Sequence, residues 1–182
     1  MRLITIAAAA ACAIVAFVSV AVGSEAGRGD CDRECLKRLA DTYIDALVAH
    51  DASRAPLASD IRIVENVKRI RPGEGLWKTA SAGPTTFKIY VPDTVAQQVG
   101  FIGVMQSDGK PIMLGLRLKR VNGKIGEAEH LVVSNLREAS LATHLQKPRA
   151  PLTTPVPEPY RDSSSRLIYI AERYYDALDL NN

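Results

Sequence analysis

The chain reads as an α+β protein in which helices come first and cover one face of a curved antiparallel sheet. Three observations predict this. Residues 32–49 place apolar side chains at Leu36, Leu39, Ala40, Tyr43, Ile44 and Leu47, the spacing of one buried helical stripe. Residues 85–133 hold four alternating runs separated by hairpin punctuation, of which Asn122-Gly123 is the sharpest. Between that sheet and a last amphipathic helix lies a stretch with half of the 10 prolines, too proline-dense for helix or ladder.

Taken in order, the first 23 residues have the make-up of a secretory signal. Arg2 precedes an apolar run from Leu3 to Val22, and Ala21-Val22-Gly23 offers small residues for cleavage. An uncleaved anchor is the rival, since about 20 apolar residues can span a bilayer. The alanine-rich run and small-residue exit favour cleavage, so a secreted or periplasmic protein without stable membrane association is expected. Asp30 or Asp32 is positioned to cap the first helix. A helical turn breaking near Pro56 follows, then a short strand over Ile61–Glu65 and a short helix over Leu76–Thr79. The predicted sheet strands are Thr85–Val91, Gln98–Gln106, Ile112–Val121 and Lys124–Val133. A short helix within 136–145 leads into the proline segment, and residues 163–182 form the last helix. The resulting layout is a signal peptide at 1–23, a folded domain at 31–135, a proline-rich linker at 136–162 and a terminal helix at 163–182.

That last helix resembles the first. Leu39-Ala40-Asp41-Thr42-Tyr43-Ile44-Asp45-Ala46-Leu47 aligns at one fixed offset with Ile170-Ala171-Glu172-Arg173-Tyr174-Tyr175-Asp176-Ala177-Leu178, and Leu36 aligns with Leu167. If the first copy opens a domain, the second is expected to open another, cut short here.

Removing the leader takes only Arg2 from the charged residues, leaving 22 basic against 20 acidic side chains. A net charge of +2, interleaved in sign and poor in aromatics, gives no footprint for nucleic acid. Cys31 and Cys35 are the cysteines left after the leader, and export places them in an oxidising compartment. A local disulfide at the frayed start of the helix is favoured over two free thiols. His50, His130 and His144 are scattered, so no metal site is expected. No nucleophile elbow, zinc helix motif or dinucleotide fingerprint occurs, and no cofactor is implied. Gly75 ahead of Lys78-Thr79 has the wrong spacing for a phosphate loop.

Several segments carry a resemblance. They are Cys31-Asp32-Arg33-Glu34-Cys35-Leu36, Tyr43-Ile44-Asp45-Ala46-Leu47, Glu65-Asn66, Gly73-Glu74-Gly75-Leu76-Trp77-Lys78-Thr79, Gly100-Phe101-Ile102-Gly103-Val104, Arg117-Leu118-Lys119 and Ile125-Gly126-Glu127-Ala128-Glu129. Together they resemble an uncharacterised family of exported bacterial and fungal proteins, within or near the superfamily of nuclear transport factor two, polyketide cyclases and ketosteroid isomerase. The resemblance implies a cone-shaped fold with a pocket between the sheet and its helices. It implies no particular activity, because that superfamily holds isomerases, dehydratases, cyclases and non-catalytic binding domains.

Inward polar groups are therefore the candidates. Tyr43, Trp77 and Arg117 are expected to line a ligand pocket, with Arg117 beside the small Gly115 to clamp a carboxylate or to pair with Glu65. Asp45 and Glu65 are the candidate general bases. Each has a plainer reading: Asp45 as a helix-edge residue that recurs as Asp176, Arg117 as a structural ion pair, and Trp77 as a core plug. Glu127 and Glu129 share one strand face, read as solvated, and His130 is read as a satisfied sheet histidine. The function expected is small-molecule binding without established catalysis. An isomerase- or lyase-type enzyme and a module that forms a homodimer through its sheet are the alternatives.

Overall fold

The computed structural model describes residues 29–180; the signal peptide expected at 1–23 lies outside them. Helix α1 spans Arg33–Val48, and Asp32 caps it by accepting a hydrogen bond from the Cys35 N–H. Cys31 sits just before the helix and Cys35 in its first turn, where the two are joined as a disulfide. Placing one cysteine outside the helix removes the difficulty of bridging two thiols along a regular turn. Leu36, Ala40, Tyr43, Ile44, Ala46 and Leu47 form the buried face of α1.

After a 3₁₀ turn at Ala52–Arg54 come β1 (Leu57–Glu65), β2 (Lys68–Ile70), the single-turn helix α2 (Leu76–Thr79) and β3 (Ala80–Ala82). Four strands follow: β4 (Lys88–Asp93), β5 (Gln98–Ser107), β6 (Lys110–Val121) and β7 (Lys124–Val133). The sheet runs β2-β1-β7-β6-β5-β3, with β4 also on β5. One expectation is corrected here: the sheet is mixed, because β1 pairs parallel with β7. These strands stand at opposite ends of the unit in sequence, so the chain brings its last strand beside its first while β2 and β3 remain the ends of an open sheet. The strand predicted at Ile61–Glu65 begins earlier, at Leu57, and the one predicted from Thr85 starts at Lys88 and runs through Pro92-Asp93. Pro92 is tolerated because β4 pairs only with β5 and is a free edge on its other side.

Strand alternation divides the sheet into two faces. Ile112, Leu114, Leu116 and Leu118 of β6 are buried against α1, together with Ile63, Phe101 and Ala128. Arg117 and Lys119 point the other way. The sheet curls around α1, giving an α+β cone with its apolar interior on the helix side. Beyond β7 lie α3 (Glu138–Thr143), two 3₁₀ turns at Ala150–Leu152 and Glu158–Tyr160, and α4 (Ser164–Asp179). No residue of the four elements after β7 is buried.

Candidate functional site

Inside the cone the apolar packing is interrupted by one polar chain. Tyr43 comes from α1, His130 from the inner face of β7, and Glu65 from the end of β1. The Tyr43 hydroxyl lies 2.9 Å from His130 Nε2, and His130 Nδ1 lies 3.1 Å from Glu65 Oε2. A carboxylate can only accept, so Nδ1 carries the hydrogen; in the tautomer whose Nε2 is bare, that nitrogen accepts from the Tyr43 hydroxyl. Glu65 Oε2 also accepts the Leu76 N–H at 2.9 Å. The chain thus runs from the interior to the start of α2, where Glu65 keeps a partly exposed edge.

Local backbone geometry sets this up. Glu65 shares the inner parity of β1 with Ile61 and Ile63. Asn66 follows at a positive φ of 44°, and its side chain bonds both the N–H and the carbonyl of Val132, tying the end of β1 to β7. Gly75 has a φ of 59°, and a Cβ there would run into the Glu65 carboxylate. Glycine is therefore required where α2 meets Glu65.

Trp77 lies on α2 and is 1% exposed, edge-on to Tyr43 with ring centroids 5.2 Å apart. Its backbone carbonyl accepts from His50 Nδ1 at 2.7 Å. Its indole nitrogen is buried and has no hydrogen-bond partner among the described residues. The Tyr43 hydroxyl has its pKa raised, mainly by burial and further by the Glu65 charge, with the nearby Trp77 indole acting against both. Burial pushes Glu65 upward, yet the His130 hydrogen bond, the Leu76 N–H and the His130 ring hold it below its ordinary value. Glu65 is consequently a stabilised carboxylate and a weak base.

The structure brings together three of the five residues expected around the pocket: Tyr43, Glu65 and Trp77. Asp45 is exposed on the outer edge of α1. Arg117 lies on the outer face of the sheet, which corrects its expected partnership with Glu65. Strand register sets it directly across from Glu129, and it bonds Glu129 Oε1 and Glu127 Oε2 at 2.7 Å each, with Gln98 at 2.9 Å. The Arg117 guanidinium holds its proton more firmly than usual, chiefly through Glu129, and both carboxylates are held below their usual range, chiefly by Arg117. Gly115 opens no ligand space there: a Cβ at that position would make an ordinary contact with the Leu131 Cβ at 3.4 Å. The residue missing from the predicted site is His130. Its face was legible from Ala128 and Val132, but its partners lie 87 and 65 residues away. Two open clefts, of about 310 and 400 Å³, are lined by none of Tyr43, Asp45, Glu65, Trp77 or Arg117.

Among known proteins, a family described as a domain of unknown function (DUF8021) matches residues 30–112. No curated protein matches the chain. A solved protein from Sphaerobacter thermophilus is similar at 20% identity and a TM-score of 0.42, covering 55% of this chain and 94% of its own. An NTF2-like protein of unknown function from Cytophaga hutchinsonii is similar at 14% and 0.44, over 54% and 89%. AusH from Aspergillus nidulans is similar at 13% and 0.46, over 68% and 98%.

Proposed function

We propose that this is an exported small-molecule-binding domain without established catalysis, and that its recognition groups are Trp77 and Tyr43. The observation that carries the reading is the buried indole N–H of Trp77, which lies against the Tyr43 ring and makes no well-formed hydrogen bond among the described residues, while the Tyr43 hydroxyl is engaged with His130. An unsatisfied buried donor costs about 1–3 kcal/mol. A ligand oxygen placed between the two rings would accept from the indole. Because the Tyr43 O–H is committed to His130, its oxygen still has accepting capacity, and a ligand hydroxyl would satisfy both partners. The ligand class is accordingly an apolar ring bearing a hydroxyl. Entry would come by displacement of α2, one helical turn hinged by Gly73 and Gly75 at positive φ. The Cys31–Cys35 bridge supports the export part of the reading.

Trp77 is the only tryptophan, so its emission reports the site directly. Titration of the protein with cyclohexanol, an optically silent ring alcohol, is expected to change that emission saturably. A change that only grows in proportion to concentration would overturn the reading.

A second reading rests on the other face of the sheet. Ile102, Leu131 and Val133 are exposed there next to the Arg117 cluster, as a self-associating surface would require. Replacement of Leu131 by Asp is then expected to turn a dimer into a monomer in analytical sedimentation. A parent protein that is already monomeric contradicts this second reading.

A further inference from the structure

Helices α1 and α4 are structural copies. Each has 16 residues, and their ends coincide under the same offset that aligns their sequences. Asp32 caps α1 through the Cys35 N–H, and Ser163, its counterpart, caps α4 through the Arg166 N–H. At the other end, the Ala49 N–H reaches the carbonyls of Asp45 and Leu47, and the Leu180 N–H reaches those of Asp176 and Leu178. These pairs also correspond one to one.

The buried positions of α1 are Leu36, Ala40, Tyr43, Ile44, Ala46 and Leu47. Their counterparts in α4 are Leu167, Ala171, Tyr174, Tyr175, Ala177 and Leu178, identical at every position except Ile44. In α1 this face is sealed by the curved sheet. In α4, Leu167, Ile170, Tyr174, Tyr175 and Leu178 are each between 46% and 67% exposed. Short helices gain most of their stability from packing an amphipathic face, so this face is shaped for a covering surface.

The chemistry of the face says what kind of surface that is. A second copy of this chain does not fit, because its sheet already holds α1. The seat of Ile44, 1% exposed, also has no room for the larger side chain of Tyr175, and overpacking a sealed core costs about 1–3 kcal/mol. The receiving sheet is therefore of the same kind but diverged. In the first unit the opening helix precedes its strands, so the strands that cover α4 come after it.

We propose that α4 is the opening helix of a second α+β unit that follows it in the same polypeptide. The curved sheet of that unit buries Leu167, Ile170, Tyr174, Tyr175 and Leu178. It also presents an inward acceptor to the Tyr174 hydroxyl, as His130 does for Tyr43. Residues 134–163 are then the connector between two cones.

Hydrogen exchange followed by mass spectrometry tests this on two proteins: the chain as it stands, and the chain lengthened by the residues encoded after the Asn182 codon. In the first, α4 amides are expected to exchange about a hundredfold faster than those of α1, or more. In the second, α4 is expected to reach protection comparable to α1. The proposal is overturned if α4 is already protected in the first protein, as it would be when docked on a second copy. It is equally overturned if α4 stays unprotected in the second, or if no strand-forming sequence is encoded there.

Discussion

The two faces of this sheet solve the same problem, polar groups on a β-surface, in opposite ways. On the inner face a single line of Tyr43, His130 and Glu65 is enclosed by apolar side chains, and each member depends on the next. On the outer face Arg117 is surrounded by Glu127, Glu129 and Gln98, with Arg62 and Lys119 also beside Glu127. The inner line has few partners and, at Tyr43 and His130, no exposure to solvent that could replace a lost one. The outer cluster has several partners and solvent at hand. Low dielectric makes inner bonds strong and their loss costly, while exposure makes the outer pairs individually weak. If the inner face binds a ligand as proposed, ionic side chains alone are a poor guide to the site.

The largest expected effect lies on the inner face. Trp77→Ala empties a sealed position and removes the edge-on partner of Tyr43, so unfolding in urea should show a loss of about 3–5 kcal/mol. A loss no larger than that of an outer-face variant would break the distinction between the faces.

Glu65 gives the next effect, through pH. Its folded value lies below the ordinary 4.5. The stability it contributes is fully present above that ordinary value and is lost as pH falls through the lower, folded one. Stability should therefore decline below pH 4.5, and Glu65→Gln should flatten part of that decline. Glu127 and Glu129 share this direction through Arg117, so the comparison needs the Glu65 variant measured beside the parent.

The smallest effect is expected at Arg117. Arg117→Ala should cost less than about 1 kcal/mol, and the cost should shrink further in high salt. An effect as large as that of Trp77→Ala would mean that the outer cluster carries the fold.

Much of this architecture was legible in the chain. Asn122-Gly123 located the β6–β7 hairpin, the leucines of β6 separated its faces, and the apolar spacing from Leu36 to Leu47 located the buried stripe of α1. These are local signals, read over a few residues. The parallel pairing of β1 with β7 was not legible, because nothing local distinguishes it from an antiparallel neighbour. Nor was the Tyr43–His130 contact, which depends on two elements far apart in sequence. Arg117 shows a different limit. Its parity opposite the leucines was visible, but a pocket on that side also required Glu127 and Glu129 to be elsewhere, and the β6–β7 register places them against it.

Ligand binding, as proposed, belongs to the inner face. The most direct test compares the affinity for cyclohexanol, followed by Trp77 emission, in Tyr43→Phe and Arg117→Ala. The account predicts that Tyr43→Phe binds about tenfold more weakly, the loss of one hydrogen bond in an apolar site, while Arg117→Ala binds as the parent does. The reverse pattern, with affinity lost at Arg117 and kept at Tyr43, would contradict it.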